Sequence, residues 1–259
     1  MSLIKQFWSH GQQWAILLAL AVLWEAYGRF LGNELVLPSL SATLVAFKDG
    51  FVSGELPAAI WTSLRILVVG YLIGLVGAGL LTTFAMASEL GRQLLVTLTA
   101  MLNPLPAVAL LPVALLWFGI GEKSLIFVIV HSVLWSVSLN AHSGFRAVSP
   151  TQRMAGHNLG LRGFRYVALV LVPAAFPAIL TGLKIGWAFG WRTLIASELV
   201  FGASSRQGGL GWFIFEHRNE LDIPDVFAGL LSIVLIGFLV EGVLFRLIEA
   251  RTVKRWGMA

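Results

Sequence analysis

Cysteine is absent and charged side chains are scarce in this 259-residue sequence. Without cysteine there are no disulfide bonds and no thiolate-ligated metal centres. Asp, Glu, Lys and Arg together make up 12% of the residues, whereas soluble domains contain roughly a quarter. So few charges cannot cover the surface of a water-soluble protein of this length. Because 58% of the residues are hydrophobic, the composition indicates a protein embedded in a lipid bilayer.

Long apolar segments recur along the chain, each of the length that a membrane-spanning helix needs, about 20 residues. Backbone groups in lipid must be hydrogen-bonded internally, so these segments are expected to be helical. We predict an all-α polytopic fold with about six spans, near 13–31, 63–84, 93–118, 123–140, 175–199 and 226–248. Residues 32–61 are predicted to form a loop with one short interfacial helix near 42–51. The whole chain, 1–259, then forms a single transmembrane domain with its core at 63–248.

The distribution of basic residues between the loops predicts the orientation in the membrane. On one side, which includes both termini and the segments 85–93 and 141–172, ten are present: Lys5, Arg92, Arg146, Arg153, Arg162, Arg165, Arg246, Arg251, Lys254 and Arg255. The other side has four basic residues and eight acidic ones. Because basic loops stay in the cytoplasm, both termini are predicted to be cytoplasmic. Membrane orientation thus explains the net charge of +5, and no nucleic-acid partner is expected.

Residues 141–172 form the longest predicted cytoplasmic loop, and a helix is expected to begin inside it. Ser149 is a suitable N-cap, Pro150 fits the first helical position, and Gln152 can reach back to the cap. From this pattern alone, an ordinary connector and a partner-binding helix remain equal alternatives.

The segment from Met154 to Lys184 resembles the signature loop of ABC importer permeases, EAA-x3-G-x9-I-x-L-P. With the spacing intact, the matching positions are Met154, Ala155, Gly156, Gly160, Val170, Val172 and Pro173. Met154 replaces the usual glutamate and Gly156 the second alanine, whereas the two valines keep the apolar character of their positions. Flanking segments are similar to the nitrate/sulfonate/taurine-type branch of that family: 103–106, 116–121, 173–183, 198–200 and 208–211.

This resemblance implies a type I ABC importer permease fold in a bacterial inner membrane. It also implies a dimer with a second copy of the chain, two ATP-binding subunits on the cytoplasmic side, and a periplasmic substrate-binding protein. The solute would be a small organic or inorganic anion such as a sulfonate, taurine, nitrate or a carboxylate. ATP and magnesium would be bound by the partner subunit, so the chain itself is expected to be no enzyme and to need no cofactor.

The residues expected to contact the ATP-binding subunit lie in the cytoplasmic coupling loop, 141–172. They are Arg153, Met154, Ala155, Gly156, Gly160 and Arg162. The small residues are expected to let a partner surface approach closely, and the arginines to pair with acids on that partner. The alternative for the arginines is that they only enforce membrane orientation.

Residues proposed for the translocation pathway are proline, aromatic or charged positions inside the spans. They are Pro104, Pro106, His131, Trp135, Lys184, Arg192 and Glu198. Prolines remove backbone donors, and irregular backbone at membrane depth usually lines a cavity; a kinked structural helix is the alternative. Charges in a span are costly unless paired or facing a cavity. Arg192 is a candidate counter-charge for an anion, and an ion pair between Arg192 and Glu198 is the competing view.

An outer loop near the C-terminal span is acidic and is expected to contact the binding protein through Glu216, Glu220, Asp222 and Asp225. No catalytic set and no metal site are predicted. The stretch 119–124 is faintly similar to a phosphate-binding loop, but Glu122 occupies the place of the glycine that must precede the lysine.

Two other classes of function predict different patterns in the sequence. A secondary transporter or channel predicts inverted repeats or a ring of intramembrane acids, and a membrane enzyme predicts a cluster of polar catalytic residues at one depth. Neither pattern is present, and the five histidines are scattered along the chain. The identity of the substrate stays open at this point.

Overall fold

The computed structural model describes residues 3–201 and 208–257, and within these ranges the backbone is almost entirely helical with no strand. In chain order the helices are α1 Leu3–Leu31, α2 Leu40–Ser53, α3 Glu55–Ala87, α4 Glu89–Leu102, α5 Leu111–Phe118, α6 Glu122–Ala147, α7 Pro150–Asn158, α8 Gly163–Tyr166, α9 Val172–Phe201, α10 Leu210–Glu220, α11 Ile223–Leu239 and α12 Arg246–Arg251. A 3₁₀ turn, Ala107–Leu110, precedes α5, and π-helical stretches at Val167–Leu171 and Val240–Phe245 join α8 to α9 and α11 to α12.

Five continuous helical segments of the described chain have the length and apolar character to cross a membrane. They are Trp14–Leu31, Glu55–Ala87, Glu122–Ala147, Gly163–Val200 and Ile223–Arg251. A bent pair, α4 with the 3₁₀ turn and α5, brings the number to six. The prediction of an all-α fold with about six spans is therefore confirmed. The short helix expected near 42–51 is also present, as α2.

The second span begins earlier than expected, at Glu55 instead of residue 63. Pro57 suggested a loop, but it lies in the first turn of α3. The first four N–H groups of a helix have no intrahelical acceptor, so a proline there removes no hydrogen bond.

The third span is broken, and the prediction of one span over 93–118 was wrong in this respect. The helix α4 ends at Leu102, and the axis of the segment 107–118 lies at 91° to it. Pro104 and Pro106 each lack a backbone donor, so the helical ladder cannot continue through 103–106. Ser124 stabilises the turned segment from α6, since its hydroxyl oxygen lies 2.6 Å from the Gly119 carbonyl oxygen, to which it donates, and 3.1 Å from the Ala114 carbonyl oxygen.

The fifth span starts at Gly163, not at residue 175, and contains Pro173. The π-helical stretch that precedes Val172 accounts for this difference. There the Val172 N–H bonds to the Val167 carbonyl, one residue farther back than in an α-helix. The wider turn accommodates a proline next to it without ending the helix, as π-bulges do elsewhere.

Helix α6 is the centre of the bundle and packs against α3 and α9. Glycines at the crossing points make this approach possible. A Cβ atom at Gly70 would lie 2.8 Å from Ile129, one at Gly182 would lie 2.8 Å from Asn140, and one at Gly186 would lie 2.9 Å from Val137. The four-residue glycine spacing in α3 and α9 therefore serves helix packing within one chain.

Candidate functional site

The break in the third span, residues 103–108, forms a cavity of about 370 Å³ together with α6 and α9. Its lining residues are Asn103, Pro104, Leu105, Pro106, Ala107, Val108, His131, Ser132, Trp135, Phe189, Arg192, Thr193 and Ala196. Five residues that the sequence proposed for a pathway thus come together around one cavity: Pro104, Pro106, His131, Trp135 and Arg192. Their positions in the sequence span 89 residues, and the fold brings them together around this cavity.

Two aromatic side chains of α6, His131 and Trp135, form part of this cavity wall. Both ring nitrogens of His131 and the Nε1 of Trp135 are buried, and none of the three has a hydrogen-bond partner. The two rings pack edge to face with centroids 6.0 Å apart. Next to them, the hydroxyls of Ser132 and Thr193 are 2.8 Å apart and join α6 to α9. The three ring nitrogens are therefore enclosed in the packing of α6 and are not exposed to the cavity, whereas Ser132 and Thr193 join the two helices that form its wall.

Arg192 supplies the positive charge of the cavity. Its Nε donates to the Ala188 carbonyl of the preceding helical turn at 3.2 Å, and its guanidinium lies 5.3 Å from the centroid of the Phe189 ring. The competing interpretation, an ion pair with Glu198, is not what the structure has, because the Glu198 carboxylate is bonded elsewhere.

Glu198 does not line the cavity; it is only 4% exposed and binds the beginning of α10. The Ser63 hydroxyl donates to its carboxylate at 2.8 Å, and the Gly211 N–H donates to it at 2.8 Å. The Leu210 N–H in turn donates to the Ser63 oxygen. A carboxylate is stabilised at a helix N-terminus, where backbone N–H groups point outwards. Glu198 thereby ties α9, α3 and α10 together.

The glycines at positions 209 and 211 belong to the same arrangement. A Cβ atom at Gly209 would collide with the Glu198 carboxylate and the Ser63 hydroxyl, and one at Gly211 would lie 2.6 Å from Glu198 Cβ. Sequence reasoning missed Ser63, which lies 135 positions from its partner. Three glycines within the four residues 208–211 were the available signal that a side chain approaches this backbone closely.

Lys184 is also outside the cavity lining. Its Nζ lies 2.5 Å from Glu249 Oε2, so this pair fastens α9 to α12. The acidic partner comes from the segment predicted to be cytoplasmic. The long lysine side chain therefore reaches from the span towards the membrane surface, as snorkelling lysines do.

The helix predicted inside the cytoplasmic loop is present as α7, with the expected cap. Ser149 Oγ accepts from the Gln152 N–H, and Gln152 Oε1 accepts from the Ser149 N–H, which forms a complete capping box. Arg153 follows on this helix and donates from Nε to the Val148 carbonyl and from a terminal nitrogen to the Phe145 carbonyl at 2.6 Å. Because these carbonyls belong to the end of α6 and its C-cap, Arg153 connects α7 directly to α6.

The two glycines of the loop have different surroundings. Gly156 is buried, and a Cβ atom there would lie 2.9 Å from both Tyr166 and Val170, so the close approach is within the chain itself. Gly160 is exposed with φ of +72°, a conformation that favours glycine and turns the chain after α7.

The exposed surface of the loop 141–172 is partly apolar. Met154 is 58% exposed, Leu159 78% and Phe164 85%, while Ala155 and Arg162 are exposed beside them. Sequence reasoning missed Leu159 and Phe164. Their signal was the presence of large apolar side chains in a loop that is otherwise rich in polar and basic residues.

The four acidic residues of the outer loop lie around the junction of α10 and α11. Glu216 and Asp225 are half-buried, whereas Glu220 and Asp222 are exposed. His217 lies among them, with Nε2 3.8 Å from the carboxylate of Glu55. The result is one acidic surface formed by the end of α10, the start of α11 and the start of α3.

Comparison with known protein families gives a match over residues 70–254 to the binding-protein-dependent transport system inner membrane component. Among the relatives is the taurine transport system permease protein of Escherichia coli, 32% identical over 86% of this chain and 81% of its own length. The nitrate import permease protein of a Synechocystis species is 29% identical over 75% of this chain and 70% of its own length.

A crystal structure of an amino acid ABC transporter with histidines shares the fold. It has a TM-score of 0.55 at 18% identity and covers 80% of this chain and 96% of its own. The family match extends over most of the chain and includes α7, the cavity helices α6 and α9, and the broken third span. This multi-pass membrane protein belongs to the permease family of the binding-protein-dependent ABC transporters.

Proposed function

We propose that the chain is the membrane subunit of an ATP-driven importer for a small anion in the bacterial inner membrane. Two copies would form the pathway, two ATP-binding subunits would bind the cytoplasmic side, and a periplasmic protein would deliver the solute. One observation supports this most strongly: α6 lines the cavity with His131 and Trp135 and is held at its other end by Arg153 of α7. A movement imposed on α7 is therefore transmitted to the cavity wall.

The exposed surface of α7 and the turn after it is the proposed contact for the ATP-binding subunit. Met154, Leu159 and Phe164 expose apolar side chains in a cytoplasmic loop, and exposed apolar patches commonly mark protein interfaces. Met154 stands where the family usually has glutamate, so this contact would depend on apolar packing more than on a salt bridge at that position. Methionine is suited to such a surface because its side chain adapts to its neighbours.

An anion is the proposed cargo for two reasons. The relatives compared above are named for taurine and for nitrate. Arg192 lies in the cavity lining, and its positive charge attracts an anion. The acidic surface at Glu216, Glu220, Asp222 and Asp225 is the proposed contact for the periplasmic binding protein, whose own surface would be basic there.

Co-purification with the ATP-binding subunit tests the proposal. The wild-type chain is expected to bring the ATPase with it from detergent-solubilised membranes. Replacing Leu159→Asp together with Phe164→Asp is expected to reduce the recovered ATPase by about tenfold or more, since a charge would be buried in an apolar contact. Arg165→Asp, an exposed change in the same loop, serves as the matched control. Recovery of undiminished ATPase with the double variant would contradict this contact, and no ATPase with the wild-type chain would contradict the importer itself.

A further inference from the structure

The last membrane-spanning segment is long enough to carry its end into the headgroup layer of the bilayer. Ile223–Arg251 is helical over 29 residues, which at about 1.5 Å per residue is roughly 43 Å. A bilayer is about 30 Å thick in its hydrocarbon core and about 40–45 Å thick with its headgroups. Because the segment begins at the acidic outer surface, its end lies at the level of the cytoplasmic headgroups.

After α12 the chain does not run out into the cytoplasm but folds back into a compact turn, residues 252–257. Backbone hydrogen bonds to the last turn of α12 close it. Val253 is 6% exposed, and the ring centroid of Trp256 lies 5.5 Å from that of Phe176 in α9. The side chains of this turn are therefore held against the bundle at the membrane surface.

Positive charge is concentrated in and beside this turn. Residues 246–257 include four basic side chains, all exposed: Arg246, Arg251, Lys254 and Arg255. The same stretch has one acid, Glu249, whose carboxylate is paired with Lys184 of α9. Arg246 and Lys254 also lie near this carboxylate. One negative charge is thus shared by three cations, and Arg251 and Arg255 add further positive charge beside them.

Membrane orientation accounts for basic residues on this side of the bilayer, but it does not require them to be fixed in place. Here the turn is packed on α9, and Trp256 keeps 45% of its surface exposed beside the arginines. Tryptophan favours the headgroup level of a membrane, and arginine binds phosphate oxygens through two parallel hydrogen bonds. The surface therefore combines the groups that recognise a phosphate at the membrane interface.

We propose that this basic turn, Arg251–Gly257, binds the headgroup of an anionic phospholipid in the cytoplasmic leaflet. Arg251, Lys254 and Arg255 would contact the phosphate, and the Trp256 indole would lie beside the glycerol backbone. This adds a lipid partner and does not rest on the importer function. Because the turn packs on α9, a bound lipid also fastens the cytoplasmic end of a helix that forms part of the cavity wall.

Native mass spectrometry of the full-length chain, purified in a neutral detergent, tests the site by counting bound lipids. The probes are phosphatidylglycerol and phosphatidylcholine with identical acyl chains. We expect the wild type to retain phosphatidylglycerol at concentrations where phosphatidylcholine is lost. Each basic side chain near an anionic headgroup strengthens binding about fivefold. Lys254→Gln with Arg255→Gln is therefore expected to weaken phosphatidylglycerol binding at least about tenfold, whereas Lys254→Arg with Arg255→Lys keeps most of it.

A matched control removes two charges elsewhere at the membrane interface. Lys48 and Lys123 are exposed on the opposite side, each next to an acid in the sequence. Lys48→Gln with Lys123→Gln is expected to bind phosphatidylglycerol like the wild type. Equal loss in this control, or equal retention of phosphatidylcholine, would overturn the proposal. If the Lys254→Gln and Arg255→Gln variant binds phosphatidylglycerol normally but recovers less ATPase, the turn contacts the ATP-binding subunit and the lipid site is wrong.

Discussion

Replacing Glu198→Ala is expected to lower the free energy of unfolding by about 3 kcal/mol or more and to reduce the amount of folded protein in the membrane. The carboxylate is buried and accepts from the Ser63 hydroxyl and the Gly211 N–H. Its removal leaves these donors without an acceptor, at about 1–3 kcal/mol each, in addition to the loss of packing. The apparent Tm, followed by the fluorescence of the ten tryptophans, is the measurement.

Two further variants make this result specific. Glu198→Gln keeps one acceptor oxygen, so its Tm is expected to lie between those of the wild type and Glu198→Ala. Glu241→Ala changes an exposed glutamate of the π-helical stretch after α11 and is expected to leave the Tm within a few degrees of the wild type. A Glu198→Ala protein as stable as the wild type would show that the contact between Glu198 and the start of α10 contributes little.

Replacing Arg153→Ala is expected to separate ATP hydrolysis from uptake. The side chain donates to the Phe145 and Val148 carbonyls and so joins α7 to the end of α6. Hydrogen bonds from a charged donor contribute about 1.5–3 kcal/mol each, so their loss releases α7 from the helix that lines the cavity. We expect uptake to fall at least about tenfold while the assembled complex still hydrolyses ATP.

Reconstituted vesicles allow both rates to be measured on one sample. Arg153→Lys keeps the positive charge but has a single ammonium group in place of the guanidinium. We expect it to retain part of the coupling between ATP hydrolysis and uptake. Arg165→Ala, an exposed arginine on α8, is the matched control and is expected to transport normally. Uptake by Arg153→Ala at the wild-type rate would mean that α7 acts on the membrane helices through other contacts, such as the packing of Gly156 against Tyr166.

Much of the fold was accessible from the sequence because single segments determine it. The apolar length of each span and the internal hydrogen bonding required in lipid predict the helices. The Ser149–Gln152 capping box needs only four consecutive residues, and it is present as predicted. Glycines recur every four residues in α3 and α9, a spacing that favours close helix contacts, and such contacts are found against α6.

The remaining features depend on partners far apart in the chain. Prolines in the third span predicted a bend, but the 91° break also requires α5 to pack on α6, where Leu111, Ala114 and Val128 form a buried cluster. The acceptors of the Arg153 side chain are backbone carbonyls, and because every residue has one, the sequence alone does not identify them. Glu198 looked like a candidate for the pathway because a charge in a span is rare; its Ser63 partner is visible only once α3 and α9 are packed together.

The most direct test of the importer function is accumulation of 1-butanesulfonate in proteoliposomes containing the chain, its ATP-binding subunit and its binding protein. We predict accumulation that requires ATP, persists without an ion gradient, and is lost with Arg153→Ala and Arg192→Gln but not with Arg165→Ala. Accumulation driven by a proton or sodium gradient in the absence of ATP would contradict it and would favour a secondary transporter.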